Sequence, residues 1–496
     1  MKMDRRQVFL MLIPLALSAF THLWNPVGFP DIFYDEGVYM YRAMNVLSGQ
    51  GPQVDLFHDH PYFGQLFLAG VLALTGYPNS LNPQHDAHSI QLLYTIPRIV
   101  MGLLAIVDTF LIYKISERRY SSNVALLASI LFAVMPITWF LRRILLDSIL
   151  LPFLLSSVLC AVYAKDSENK KLLVILCGIF FGITLFTKET AFTMIPLVAI
   201  LVYQSTKKSK MVAIWFIPVI LIPLLWPLQS VGANQFQYFV RDILFQVHKQ
   251  NGDFSLIVHY FYRFDPTLLI LSIAGTAYAA IKNDSLILLW VIPYVIFLAS
   301  IGYVQYFYWI PILPILCIAS AKLMLDTTQI VPVKIQRTIP LLTAVGFGVF
   351  GLVISSYLVT TNVSSQFDAT AYVIQNVHNS DILNDPNNTT IVSDPVYSWI
   401  FKYVYHINDV VPDYRYLLFY PLYTHKVLLV DSPHFRANLN AGKQLQDLYN
   451  NTTPIKQFKG GVFNYDSELY PFTNLAVNLE GGIIGIRTND HYSQSN

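Results

Sequence analysis

Charged residues are scarce in this sequence, and this scarcity limits the class of protein that it can encode. Asp, Glu, Lys and Arg make up 12% of the 496 residues, whereas soluble domains contain about 25%. Hydrophobic residues make up 54%. The composition therefore excludes an ordinary soluble protein and indicates an integral membrane protein in contact with lipid. The small net charge of +2 argues against a nucleic-acid partner.

Cysteine is also rare, and no internal repeat of fixed period is visible in the sequence. The three cysteines, Cys160, Cys177 and Cys317, lie inside apolar runs. We therefore expect them to pack in the interior, and we expect neither a disulfide framework nor a zinc knuckle. Because a repeat is missing, the inverted-repeat architecture of many transporters has no support in the sequence.

Long apolar runs, in contrast, are frequent. A membrane-spanning helix needs about 20 mainly apolar residues, and the runs predict about eleven such spans. We expect the first to be an uncleaved N-terminal span, because no small-x-small cleavage site follows it. The predicted spans cover residues 7–24, 94–113, 123–140, 145–164, 172–187, 190–205, 211–230, 267–281, 285–301, 309–325 and 338–357.

Basic residues lie at alternate ends of these spans, which indicates the direction of threading. The positive-inside rule places the N-terminus in the cytoplasm, and we expect a multi-pass protein of the plasma membrane. The apolar segment 61–77 would reverse the threading of the later spans if it crossed the membrane. We therefore expect this segment to form a re-entrant or interfacial helix on the outer face.

The composition changes after residue 358, where polar residues increase and apolar runs become short. We expect residues 1–358 to form the membrane domain, with a catalytic outer loop at 25–93, and residues 359–496 to form a second domain. In the second domain, TTIVSD, KVLLVD and GGIIGI have the pattern of short buried strands with helical segments between them. The fold class is thus mainly α, with a small α/β domain that an odd number of spans places outside the cell.

The outer loop at 25–93 contains two adjacent carboxylates, Asp35 and Glu36. Carboxylates at the edge of a membrane are costly to maintain, so they indicate chemistry or ion handling. The alternative is an acidic loop in water. The segment His58-Asp59-His60 has residue types that bind metals, but no third and fourth ligands are evident. We therefore expect no metal ion, with a divalent cation as the alternative.

Cationic side chains lie near the predicted outer ends of later spans. Arg142 begins the run Arg142–Ser148, and Lys188 follows the fifth span. A guanidinium fork suits a phosphate, and a lysine ammonium offers it a point charge. The alternatives are arginines that snorkel to the interface and a local ion pair between Lys188 and Glu189. Asp147 either caps the following helix or orients the arginine.

These motifs, in this order, resemble those of the GT-C membrane glycosyltransferases, in particular the branch of the dolichyl-phosphate-mannose protein mannosyltransferases and the bacterial lipid A aminoarabinose transferase. Asp35-Glu36 is similar to the family's Asp-Glu motif, and Arg142–Ser148 to its Arg-Tyr-Ile-Leu-Leu-Asp-Ser run. His60–Gln65 is similar to its His-Pro-Pro-Leu-Gly-Lys segment, with a tyrosine in place of the second proline. Pro97-Arg98 and Gly182–Lys188 resemble the start of its second span and the end of a later one. The resemblance covers about the first two thirds of the chain.

The resemblance implies an enzyme that transfers a sugar, of hexosyl or mannosyl type, from a polyprenyl-phosphate donor in the membrane lipid to an acceptor hydroxyl on the outer face. The acceptor would be a protein, a glycan or a lipid, and direct attack would invert the anomeric configuration. The implied catalytic residues are Asp35, as general base, and Glu36. The implied phosphate-binding residues are Arg142, Lys188 and Arg98, and the implied supporting residues are His60, Asp147 and Tyr62.

The same resemblance implies that no cofactor is needed. The related oligosaccharyltransferases use a divalent metal through an Asp-x-Asp pattern. Asp55 and Asp59 are separated by three residues and do not form that pattern. We therefore expect an enzyme without a resident metal ion.

Two other classes of function stay open. A transporter of a lipid-linked or anionic substrate would use the same charges as binding sites, and a structural or assembly protein would not need the ordered motifs. Transporters usually place charges near the middle of their spans. In this sequence the unusual charges gather at one end of the spans, which favours the glycosyltransferase.

Overall fold

The computed structural model describes residues 5–53, 57–249, 254–327, 338–360, 365–376, 389–420, 426–459 and 483–489 of the chain. Within these ranges the protein is mainly helical, and a small sheet lies in the C-terminal part. The helices before the sheet are α1 (Arg5–Leu23), α2 (Tyr34–Leu47), α3 (Phe63–Leu74), α4 (Ala87–Arg119), α5 (Ser122–Val134), α6 (Leu146–Tyr163), α7 (Lys170–Thr187), α8 (Ile195–Thr206), α9 (Ser209–Leu221), α10 (Leu225–Gly232), α11 (Phe236–His248), α12 (Phe254–Phe264), α13 (Pro266–Ile281), α14 (Ser285–Ser300), α15 (Leu313–Thr327) and α16 (Ile339–Val359).

The long helix α4 shows how local sequence sets the helix boundaries. Asp86 precedes the helix, and its carboxylate accepts a hydrogen bond from the backbone N–H of Ser89 at 3.0 Å. Arg118 and Arg119 lie in the last turn, where positive charge is favourable to the helix dipole. Capping at one end and cations at the other therefore fix a helix of 33 residues.

Six helical segments in the described part of the chain are long and apolar enough to cross a membrane. The number rises to eight when two sharply bent helix pairs each count as one span. The eleven predicted spans are thus not confirmed, because several apolar runs are interrupted by bends or form shorter helices. One of these shorter helices, α3, has 12 residues, about 18 Å of helix against about 30 Å of hydrocarbon. This length agrees with the prediction that segment 61–77 does not span.

The C-terminal part contains a five-stranded sheet with the strand order β2-β1-β3-β5-β4. Strands β2, β1 and β3 are parallel, whereas β5 is antiparallel to both β3 and β4. The three segments predicted as buried strands correspond to β1, β3 and β5. The elements of this part are α17 (Gln366–Asn376), β1 (Thr389–Val392), α18 (Pro395–Trp399), β2 (Val410–Val411), β3 (Lys426–Asp431), α19 (Pro433–Ala437), α20 (Lys443–Asn450), β4 (Thr453–Lys459) and β5 (Ile483–Thr488).

The C-terminal part packs on the helix that carries the carboxylate pair. Gly37 of α2 lies against the backbone of Val396, and a Cβ atom on Gly37 would stand 2.3 Å from the Val396 nitrogen. The hydroxyl of Tyr94, in α4, donates a hydrogen bond to the Val396 carbonyl oxygen at 2.9 Å. The same hydroxyl accepts one from the indole N–H of Trp399 at 2.7 Å. The start of α2 is therefore held between the membrane helices and the C-terminal part.

We expect Gly37→Ala to destabilise the protein, because the added methyl group would collide with backbone atoms that cannot rotate away. Overpacking of this kind costs about 1–3 kcal/mol. The measurement is the thermal unfolding midpoint in detergent, combined with limited proteolysis of the C-terminal part. Gly70→Ala is the matched control, since open space surrounds the Cβ position of Gly70 in α3. Equal midpoints for the two variants would contradict the close packing of α2 against Val396.

Candidate active site

Asp35 and Glu36 lie in the first turn of α2, adjacent in sequence but in different surroundings. Successive side chains of a helix point about 100° apart, so one can be buried while the next is open to solvent. Negative side chains are favourable here because the helix N-terminus carries a partial positive charge. Glu36 is fully buried, whereas Asp35 is partly exposed.

The Glu36 carboxylate is the centre of a buried cluster. Its Oε1 accepts hydrogen bonds from Arg98 Nη2 at 2.6 Å, Arg143 Nη1 at 3.0 Å and the backbone N–H of Phe33 at 2.9 Å. Its Oε2 accepts from Arg98 Nε at 2.9 Å and the backbone N–H of Ile144 at 3.0 Å. Burial alone would raise the pKa of Glu36, but the two arginines outweigh burial and lower it. Neither oxygen is exposed, so these contacts give Glu36 a structural role, and the catalytic role expected for it stays a prediction.

Arg98, in α4, is fully buried with all its donors engaged. Besides its two bonds to Glu36, it donates to the carbonyl oxygens of Pro26 at 3.0 Å, Pro30 at 2.6 Å and Asp31 at 2.8 Å. A guanidinium has five N–H donors, so this geometry leaves Arg98 none for a phosphate. In the structure Arg98 ties α4 to the chain before α2, and the phosphate-binding role expected for it stays a prediction.

The two arginines after α5 have separate partners. Arg142 is almost fully buried and donates from Nη2 to the carbonyl oxygens of Trp24 and Asn25, at the end of α1. Arg143 donates to Glu36, as described, and to the Asp31 carboxylate at 3.1 Å. Arg142 was selected from the sequence because it aligns with the arginine of the family's run, and Arg143, which aligns with the tyrosine, received no role.

Asp35 differs from the other carboxylates near it. Within the described ranges, its side chain forms no hydrogen bond or ion pair. Lys249, Arg415, Lys188 and His60 lie near enough for their charges to act on it. Burial raises the pKa of Asp35 above its usual value of 3.8, and these four cations oppose the rise. A carboxylate with a raised pKa and no internal partner is suited to accept a proton.

Lys188 follows α7 and forms a buried ion pair with Asp147, in α6. Its Nζ donates to Asp147 Oδ2 at 2.7 Å, and each side chain is only 2% exposed. The ammonium also lies 4.3 Å from the ring centroid of Tyr308, a cation–π distance. The structure therefore brings two predicted site residues together, and Asp147 orients the lysine instead of Arg142.

The histidine motif forms a second set of ion pairs beside Asp35. His60 Nδ1 lies 3.1 Å from both oxygens of Glu189. Burial alone would lower the pKa of His60, but the charge of Glu189 outweighs it and raises that pKa. Asp59 pairs with Arg42 at 2.6 Å. Tyr62 donates from its hydroxyl to a backbone carbonyl at the start of α10, at 3.2 Å. These contacts hold the segment that contains His60, Asp59 and Tyr62 in place beside Asp35.

Lys249 is a cation that the sequence analysis did not select. It follows α11, and its ammonium lies 3.7 Å from the ring centroid of Tyr303. It forms no ion pair with any residue that the structure describes. Burial lowers the pKa of Lys249, whereas the charge of Asp35 acts in the opposite direction. Its signal in the sequence was only its position in the long loop between two predicted spans.

The carboxylates around Asp35 pair with cationic side chains and do not form a cluster with one another. Glu36, Asp59, Asp147 and Glu189 each pair with Arg, Lys or His. Among the described residues, no group of three or more His, Cys, Asp or Glu side chains is placed to hold a metal ion. Asp55, considered above in an Asp-x-Asp pattern, lies outside those residues.

Known proteins share this architecture. Residues 13–247 match the sequence model of the dolichyl-phosphate-mannose-protein mannosyltransferase family. The archaeal oligosaccharyltransferase AglB from Archaeoglobus fulgidus aligns with 95% of this chain and 77% of its own, at 12% identity and a TM-score of 0.56. ArnT from Cupriavidus metallidurans, in the apo state, aligns over 97% of both chains at 13% identity and a TM-score of 0.56. The chain has the GT-C glycosyltransferase fold.

The GT-C fold confirms the resemblance that the order of the motifs predicted. No curated protein sequence matches the chain significantly, and the identities to the solved structures are low. Such a likeness establishes the fold alone. The roles of individual residues therefore rest on the distances and burial described above.

We expect the two carboxylates of α2 to differ in their effect on stability. Glu36→Gln would leave Arg98 buried without its anion, which costs about 3–5 kcal/mol. Asp35→Asn removes a charge that has no internal partner, and we expect little change in the free energy of unfolding. The measurement is denaturant unfolding of both variants in detergent, followed by tryptophan fluorescence. Equal losses of stability would contradict the assignment of Glu36 as the structural carboxylate.

Proposed function

We propose that this protein is an integral membrane glycosyltransferase that moves a sugar from a polyprenyl-phosphate donor to an acceptor hydroxyl. In this proposal the reaction takes place at the outer face of the plasma membrane, and the N-terminus is cytoplasmic. The observation that carries the proposal is the partly exposed Asp35 carboxylate, surrounded by cations in a GT-C fold. AglB in complex with a dolichol-phosphate, and ArnT bound to undecaprenyl phosphate, support the class of donor.

The proposed reaction uses Asp35 as general base. The acceptor oxygen forms a bond to the anomeric carbon, and its proton passes to the Asp35 carboxylate. The bond from the anomeric carbon to the phosphate oxygen breaks, and its electron pair leaves with the polyprenyl phosphate. Attack and departure on opposite faces of the sugar invert the anomeric configuration. A positioned base contributes about 10²–10⁴-fold to such a step.

The leaving phosphate gains negative charge, which fixed cations stabilise. We assign the phosphate contact to Lys249, because it acts on Asp35 and forms no ion pair within the described ranges. Lys188 is buried and paired with Asp147. In this proposal it does not contact the phosphate and only adds positive potential to the site. Arg142 donates from Nη2 to the end of α1, whereas its Nε and Nη1 have no hydrogen-bond partner among the described residues. We therefore keep phosphate binding as its proposed role.

The proposed reaction needs no metal ion or other cofactor. The carboxylates beside Asp35 that could ligate a metal each hold a cationic side chain. The lysines of the site supply the positive charge that a metal would bring to the leaving phosphate.

We expect Asp35→Asn to lower the rate of sugar transfer by about 10²–10⁴-fold, because the base is lost while the fold remains. The measurement uses the full-length protein in lipid nanodiscs, a panel of polyprenyl-phosphate hexoses, and membranes from cells that lack the protein as the source of acceptor. Released polyprenyl phosphate and the glycosylated product are both quantified. Asp447→Asn, in an exposed position of α20, is the control.

Unchanged transfer by Asp35→Asn would remove Asp35 from the role of base. The transporter alternative has a different signature. It would move the intact lipid-linked donor across vesicle membranes without releasing polyprenyl phosphate, and that result would replace the enzyme proposal.

The pH profile of kcat provides an independent check on Asp35. The carboxylate must be ionised to act as a base, so the rate falls as the pH drops through its pKa. Because burial raises that pKa, we expect the fall to begin at a higher pH than for an exposed aspartate. Lys249→Gln removes a charge that opposes the rise, and should move the acid limb to still higher pH. Lys249→Arg should leave the limb in place. Identical acid limbs for the Gln variant and the wild type, at saturating donor, would contradict the proximity of Lys249 to the base.

A further inference from the structure

The parallel strands of the C-terminal sheet end at one edge, and the chain segments that follow them meet there. Asp394 follows β1, Asp413 follows β2 and Ser432 follows β3. The Ser432 hydroxyl donates to the Asp394 carboxylate at 2.6 Å, which joins two of these segments. Open α/β sheets bind ligands outside the carboxyl ends of their parallel strands. A ligand of this sheet is therefore expected at this edge.

In this protein, the carboxyl edge of the sheet is packed against the start of α2. The Tyr34 hydroxyl donates a hydrogen bond to the Asp413 carboxylate. The Tyr34 ring stacks on His434, with ring centroids 3.8 Å apart. Since Tyr34 directly precedes Asp35, the carboxyl edge and the proposed base lie side by side. The C-terminal sheet thus forms one wall of the candidate active site.

Arg415 is the cation of this wall. Its guanidinium carbon lies 4.6 Å from the Tyr34 ring centroid, and its Nε and Nη2 donate to Asp413 Oδ2 at 2.9 and 2.7 Å. These contacts fix the direction of the side chain, yet 44% of it is exposed to solvent. Its Nη1 donates no hydrogen bond to any described residue. Arg415 is therefore a preoriented guanidinium with free N–H groups facing the solvent beside Asp35.

We propose that Arg415 binds a phosphate or carboxylate group on the acceptor, so that the acceptor is an anionic hydroxyl compound. A guanidinium matches the geometry of both oxyanions and binds them by charge-assisted hydrogen bonds. This inference rests on the proposed function, and it names a class of acceptor that the proposed function leaves open.

The position of Arg415 favours the acceptor over the donor as its ligand. A polyprenyl-phosphate donor is held in the bilayer, so its phosphate lies at the membrane edge, near the end of the apolar helix α7. Lys188 follows that helix directly. Arg415 belongs instead to the C-terminal part, in the segment that follows β2. The charges of Lys188 and Arg415 both act on Asp35, so a base that takes a proton from an acceptor attacking the donor has both groups near it.

The test compares two small alcohols as acceptors for the full-length protein in nanodiscs, glycerol 1-phosphate and glycerol. Wild-type protein should transfer the sugar to glycerol 1-phosphate with a kcat/KM higher by about tenfold or more, the range of a hydrogen bond to a charged group. Arg415→Ala should lose this preference through a higher KM for glycerol 1-phosphate relative to that for glycerol. Each variant is assayed at a pH above its own acid limb, because Arg415 also acts on the pKa of Asp35. Arg415→Lys should keep part of it. Lys443→Ala, which removes an exposed charge from α20, should behave as the wild type.

Equal use of both alcohols by the wild type would overturn the inference. An unchanged preference of Arg415→Ala for glycerol 1-phosphate over glycerol would also overturn it. If water is the sole acceptor, glycerol 1-phosphate should inhibit donor hydrolysis in the wild type and not in Arg415→Ala, and a lack of inhibition in the wild type would also overturn it. The unfolding midpoint of each variant separates loss of binding from loss of fold. Failure of the proposed function itself looks different, since the wild type would then consume no donor under any condition.

Discussion

The buried charge cluster of Glu36, Arg98 and Arg143 is the interaction on which the candidate site depends. Taking ions out of water costs several kcal/mol for each, and the cost is offset only where every charge is paired and hydrogen-bonded. Here both carboxylate oxygens are occupied, and Arg98 uses all of its N–H groups. The cluster joins the start of α2, the middle of α4 and the segment before α6. Because Asp35 is the neighbour of Glu36, these three segments together fix where the proposed base lies.

Side chains of the same charge in this site have different tasks because their surroundings differ. Glu36 meets arginines on every side and stays ionised in the interior, whereas Asp35 meets cations at a distance and remains open to solvent. The lysines divide in the same way. Lys188 gives its charge to Asp147, and Lys249 keeps its charge available beside Tyr303. Residue type thus indicates what chemistry is available, and the local partner decides which residue can carry it out.

This division explains which parts of the structure could be predicted from the sequence. The order of the motifs predicted the GT-C fold, and apolar runs predicted β1, β3 and β5, since these strands are mostly buried. Strand β2 has two residues, and β4 is largely exposed, so neither has a hydrophobic pattern that sequence analysis can detect. Apolar runs also show what lies in lipid or in the core but not where a helix bends, which is why the number of spans was not confirmed. The partners of Arg98 could not be predicted, because they come from segments far from it in sequence.

The candidate site is bounded by the ends of membrane helices on one side and by the C-terminal sheet on another. This arrangement follows from a difference in how the proposed substrates reach the site. A lipid-linked donor can approach only within the plane of the membrane, so its phosphate reaches the site from the membrane edge, where Lys188 follows α7. An acceptor that arrives from water is not restricted in this way, and the group that selects it can belong to a separate sheet. Tyr34 connects the two requirements, since it is anchored to Asp413 and His434 on the sheet and precedes Asp35 on α2. A change in the C-terminal sheet could therefore alter the choice of acceptor while the buried cluster around Glu36 keeps the base in position.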